Sequence, residues 1–141
     1  MSVKTLSAAP LRRVACGGAV MLSLVVLTAC AKAPPPAVFT DYATNVQIAQ
    51  VLAAGCPDVT LNQAGMGAGA RDLGVALRAQ GYTAEDIAAF PDTIDVGEIR
   101  GRAQAYLTAN GIDPTDRATV CPVAKREIDA GSPIAAFLTA A

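Results

Sequence analysis

Cys56 and Cys121 constrain the fold of this chain more than any other pair of residues, because a bond between them would tie together segments roughly 65 residues apart. The chain has 4 cysteines, and the other two, Cys16 and Cys30, lie within and directly after an apolar N-terminal run. Export and anchoring would claim those two, leaving Cys56 and Cys121 as a pair in an oxidising compartment, where a disulfide is the expected outcome. The chain-entropy model gives such a loop about 4 kcal/mol, comparable to the net stability of a small domain. A redox pair would favour Cys-x-x-Cys spacing or a thiolate beside basic groups, so the structural bond is the stronger reading.

The N-terminus carries the other constraint. Lys4, Arg12 and Arg13 precede an apolar segment from Val14 to Leu27, the order of an export signal. That segment falls short of the roughly 20 residues a spanning helix needs, and Gly17-Gly18 weakens it further. Leu27-Thr28-Ala29-Cys30 closes it and resembles the bacterial lipobox, in which the cysteine thiol is alkylated with diacylglycerol before cleavage. One acyl chain holds weakly and two hold firmly, so Cys30 is predicted to anchor the protein to a membrane. By resemblance to bacterial lipoproteins, Ala31 in place of the aspartate that retains them in the inner membrane points to the outer membrane, facing the periplasm. Residues 1–29 are thus expected to be a signal peptide and 30–39 an Ala/Pro-rich spacer. The spacer is stiffened by Pro34, Pro35 and Pro36, and the folded domain spans 40–141.

Cleavage leaves 112 of the 141 residues, enough for one domain with a modest core. It also leaves 8 of the 11 basic residues against all 12 acidic ones, a formal net charge of −4, which argues against nucleic-acid binding. Abundant alanine, few aromatics and no tryptophan suit helices better than sheet.

Apolar spacing predicts an all-α bundle of four or five helices. Thr40 is read as the cap of a first helix from Asp41, with Tyr42, Val46, Ala49, Leu52 and Cys56 inward and Gly55 and Pro57 at its end. A second is expected from Leu61 to Gln80, weakened by Gly65, Gly67 and Gly69, which fray it or let it pack closely. Thr83-Ala84-Glu85-Asp86 reads as a capping sequence for a short helix reset by Pro91. A longer helix is predicted from about Asp92 to Ala109, burying Val96, Ile99, Ala103, Tyr106 and Leu107, pairing Glu98 with Arg102 and stopping at Asn110-Gly111. A last one is expected from Thr115 or Thr119 to Ala130, with Pro122 tolerated best in its first turn and Gly131 as its stop. Ile134, Phe137 and Leu138 then close over the core.

Gly55-Cys56-Pro57, Gly81-Tyr82-Thr83, the run Arg102 to Gly111, and Cys121 with Glu127-Ile128 and Gly131-Ser132-Pro133-Ile134 carry a resemblance. Together they are similar to an uncharacterised alphaproteobacterial family catalogued as domain of unknown function 5333, over most of positions 45 to 138. The resemblance implies an exported, all-helical protein with two spaced cysteines, and it implies no activity.

Patterns that could carry chemistry are few. Gly65-Met66-Gly67-Ala68-Gly69-Ala70 fits Gly-x-Gly-x-x-Ala, with Glu85 and Asp86 downstream, but a dinucleotide site needs a buried strand, and Asp58 to Asn62 is too short and polar for one. Asp92, Asp95 and Glu98 recur every third residue and Asp113 and Asp116 flank a turn, acidic placements that suit a helix start or a turn better than a metal. The chain has no histidine, and Ser132, the one serine after Cys30, sits before proline at a helix cap. No catalytic residue, metal ligand or cofactor is therefore assigned. The leading expectation is a non-enzymatic binding domain, anchored to the membrane and partnered by another envelope component. A carboxylate- or thiol-dependent envelope enzyme or redox protein and a purely structural lipoprotein are the alternatives.

Overall fold

The computed structural model describes residues 34–141, which lie within one compact unit. The signal segment and Cys30 fall outside the described residues. Five α-helices carry the fold: α1 (Ala37–Gly55), α2 (Gln63–Ala79), α3 (Ala84–Ala89), α4 (Val96–Ala109) and α5 (Arg117–Ala130). Single 3-10 turns at Phe90–Asp92 and Ala135–Phe137 complete it, with a short ribbon of β1 (Val59–Leu61) and β2 (Leu138–Ala140). The all-α expectation holds, and the ribbon is the one addition to it.

Helix α1 is central and packs against α4, α5 and α2. It starts at Ala37 rather than Asp41, so Ala37, Val38 and Phe39 of the expected spacer are helical. Pro36 stays extended and offers its carbonyl to the Phe39 N–H at 2.9 Å, which starts the helix without a side-chain cap. Thr40 is not the cap. It lies inside the helix, buried, and its carbonyl accepts the Thr44 hydroxyl at 2.8 Å. The inward face is Thr40, Thr44, Ile48, Ala49 and Leu52, a stripe disguised by two threonines, of which Thr44 bonds its hydroxyl back to the helix. Phe39 meets Phe90 in a tilted contact, 5.4 Å between centroids, so tertiary packing overrides the cap signal, and the exposed Asp41 pairs with Arg102 at 2.5 Å.

Three helices stop in the same way. After α2, α4 and α5 the backbone turns left-handed at Gly81, Gly111 and Gly131. The next residue's N–H then returns to Leu77, Leu107 and Glu127, the six-to-one bond of a Schellman stop. Glycine bears this conformation without the steric cost of a Cβ.

The main core joins Ile48 and Leu52 of α1, Leu107 of α4, Val120 of α5, and Phe137 and Leu138 of the C-terminal segment. Val96, expected inside, is 57% exposed at the first position of α4. The C-terminal segment reaches the core because β2 pairs antiparallel with β1, Val59 opposite Ala140 and Leu61 opposite Leu138. Bonds from Asn62 N–H to Phe137 O and from Ala141 N–H to Asp58 O, both 2.9 Å, flank the ribbon.

The glycine-rich stretch lies within α2. Asn62 caps that helix by accepting the Gly65 N–H at 2.9 Å. A methyl group on Gly65 would sit 1.9 Å from the Ala136 carbonyl oxygen, and one on Gly69 would sit 3.1 Å from the rings of Tyr42 and Phe137. Those rings meet edge to face, 5.4 Å apart, and the Tyr42 hydroxyl donates to the Met66 carbonyl at 3.1 Å. Close packing, rather than fraying, is what these two glycines serve.

Candidate functional site

The C-terminal end of α1 and the second turn of α5 meet at the Cys56–Cys121 disulfide, where the Cα atoms are 5.0 Å apart. α5 is directed there from Asp116, whose carboxylate accepts the Ala118 N–H at 2.9 Å. The preceding turn is held by Thr119, whose hydroxyl accepts the Asp113 N–H at 3.0 Å, and by the Asp113 carboxylate on Thr115. Hydrogen bonds from the Thr115 hydroxyl and N–H hold that carboxyl below its ordinary pKa. Pro122 falls in the second turn of α5 instead of the first. Gly55 lets α5 approach, since a Cβ there would lie 3.0 Å from the Val120 methyls.

Beside the disulfide runs a half-open groove of about 640 Å³. Cys56, Val59, Cys121, Pro122, Ile128 and Ala140 form its apolar lining, and Asp58, Lys125 and Asp129 its charged part. The charges are exposed and paired: Lys125 Nζ lies 2.9 Å from Asp129, and Arg117 lies 3.7 Å from Asp58. Such exposed pairs contribute little to stability, which leaves the groups free to meet a ligand. Asp58 is the residue that sequence reasoning missed. Its carboxylate and the two sulfurs lie within 4.8 Å of one another. The signal was its place two residues after Cys56 in a turn opened by Pro57.

A second polar cluster joins α4 to the end of α5. Arg126 bonds Asn110 at 2.6 Å and Glu127 at 3.1 Å, close to the buried hydroxyl of Tyr106, which has no hydrogen-bond partner among the described residues. Burial, followed by the Glu127 carboxylate, pushes the Tyr106 pKa up to about 12. Burial alone would raise Glu127, but Ser132, Tyr106 and Arg126 outweigh it and hold that carboxyl below its ordinary value. Such a phenol stays protonated at neutral pH, and the Arg126–Asn110 bond clips the end of α4 to α5.

The remaining candidates are dispersed. Asp95 caps α4 by accepting the N–H groups of Gly97 and Glu98, and Asp92 sits in the 3-10 turn before it. Arg102 pairs with Asp41 rather than with Glu98. Gly65, Gly67 and Gly69 lie inside α2, so the Gly-x-Gly-x-x-Ala pattern forms no loop between strand and helix. Asp86, a candidate ribose contact in that pattern, closes a capping box with Thr83. Bonds from the Thr83 hydroxyl and N–H hold its carboxyl below the usual range. Ser132 accepts the Ala135 N–H at 3.3 Å, as a capping serine does.

A family of unknown function, DUF5333, matches residues 33–139. The chain belongs to this family. The match begins before α1, so the proline segment and the whole of α1 belong to the DUF5333 domain. No curated protein and no solved structure matches the chain.

Proposed function

We propose that this DUF5333 protein is a lipid-anchored envelope protein whose helical domain binds a partner in the periplasm through the disulfide-lined groove, without catalysing a reaction. The observation that carries the binding role is the groove itself: an apolar floor of size suited to a side chain or small ligand, flanked by three exposed charges that can orient it. Anchoring rests on Leu27-Thr28-Ala29-Cys30, and no helix among the described residues is long and apolar enough to cross a membrane. The spacer then holds the domain near the lipid surface, where an outer-membrane or wall component is within reach.

Replacing Cys30 with alanine should release the protein from membranes, read by fractionation. An unmodified mass for Cys30 in the native protein would refute the anchor. For the groove, a photoreactive side chain at Ile128 should capture a defined product in living cells, and the same probe at Val75, 60% exposed on α2, should not. Equal yields at both positions would remove the binding site from the groove. A thiol-dependent role is the second reading, because both cysteines line the groove. Thiol counting separates the two, since a binding protein should hold no reactive thiols at these positions in cells.

A further inference from the structure

We propose that reducing the Cys56–Cys121 disulfide opens a zinc site built from the two thiolates and the Asp58 carboxylate. The Asp58 carboxylate already lies within 4.8 Å of both sulfurs, which are bonded to each other in the oxidised state and whose Cα atoms are 5.0 Å apart. Tetrahedral zinc, with Zn–S of about 2.3 Å and Zn–O of about 2.0 Å, sets its donors about 3.5–3.8 Å apart, a spacing that side-chain rotation can reach from here. Two soft thiolates and one carboxylate suit zinc, and their three negative charges exceed the ion's two positive ones. Cys56 is buried, Cys121 half-buried and Asp58 exposed, so the ion would sit at the groove wall with its fourth position open to water.

Lys125, paired with Asp129, lines the same groove. Arg117, 3.7 Å from Asp58 and itself exposed, competes with the ion for that carboxylate only loosely. The chemistry balances in two steps. A dithiol reductant gives two electrons and two protons to the Cys56–Cys121 bond and becomes a disulfide itself. Zinc then displaces the two thiol protons as both Zn–S bonds form. This site does not depend on the groove binding a partner, and its failure would leave the crosslinking result untouched.

The test uses the full chain in detergent, reduced by a dithiol, freed of reductant without air and titrated with zinc alone or cobalt(II) as a spectroscopic probe. The reduced protein should bind one ion, show cobalt–thiolate charge-transfer absorption and melt at a higher temperature with zinc than without. The oxidised protein and Cys56→Ser/Cys121→Ser should bind none. Asp58→Asn should keep the thiolate band but lose about tenfold or more in affinity, since even outer-shell partners contribute that much. Equal affinity in Asp58→Asn and the reduced native chain would overturn the site, because two thiols on an unfolded chain could do as well. Absence of one-to-one binding after reduction would overturn it outright.

Discussion

Helix α5 buries Val120, Val123 and Ala124 and is bonded to α1 through Cys121, whereas the longer α2 buries only Leu77 and α3 buries nothing. The first region is held by apolar area and a covalent tie. The second is held by fit: Gly65 and Gly69 against the C-terminal segment, the Asn62 cap, the Thr83–Asp86 box, and Tyr82 on Phe90 at 5.2 Å. Apolar burial is non-directional and forgives small displacements, while a backbone approach closed by missing side chains does not. The α1–α4–α5 core should therefore set the global stability, and α2–α3 should open first.

Removing the tie tests the core most severely. Cys56→Ala/Cys121→Ala frees a loop of 65 residues, for which chain entropy gives about 4 kcal/mol, and the melting temperature should fall by more than about 10 °C. Hydrogen exchange sharpens the contrast: amides of α1, α4 and α5 should lose most of their protection, and those of α3, which buries no residue and should exchange through local opening in either protein, should change little. Equal protection of α3 and α5 in the native protein would break the distinction between the two regions.

Legibility in the sequence follows the same division. Ile99, Ala103 and Leu107 of α4, the stops at Gly81, Gly111 and Gly131, and the cysteine pair were readable because each is a local or arithmetic signal. The start of α1 was not. Thr40 looks like a cap by itself, and only its burial and the tilted contact of Phe39 with the distant Phe90 carry the helix back to Ala37. The ribbon was hidden for a similar reason, since Val59-Thr60-Leu61 becomes a strand only when Leu138–Ala140 lies beside it. At the groove the sequence supplied both cysteines but not Asp58, whose role depends on a turn that folds its carboxylate back toward the bond.

Gly65→Ala probes the fitted region directly. The new methyl would sit 1.9 Å from the Ala136 carbonyl oxygen, which is backbone and cannot rotate away. Either the start of α2 or the 3-10 turn at Ala135–Phe137 must shift, and overpacking of this kind costs about 1–3 kcal/mol. Chemical denaturation should show that loss, and exchange should rise in α2 and β2 before it rises in α4. Stability equal to that of the native chain would show that the close approach at Gly65 is not what seats α2.

Gly67→Ala, two residues along the same helix, is the matched control and carries the smallest effect with the opposite sign. A methyl there meets only the far end of the Arg71 side chain, at 3.6 Å, which is ordinary contact with a flexible group. Nothing in the native structure is disturbed, so the substitution acts mainly on the unfolded chain, whose conformational freedom alanine reduces. A gain of about 0.4–1 kcal/mol is expected, measured as a higher denaturation midpoint with an unchanged slope. The pair separates two uses of glycine in one stretch: Gly65 makes room for another segment's backbone, while Gly67 weakens the helix without a packing return. Loss of stability at Gly67 would mean that α2 is seated by its whole glycine-rich turn, and the fitted region would then extend beyond the two positions that touch the C-terminal segment.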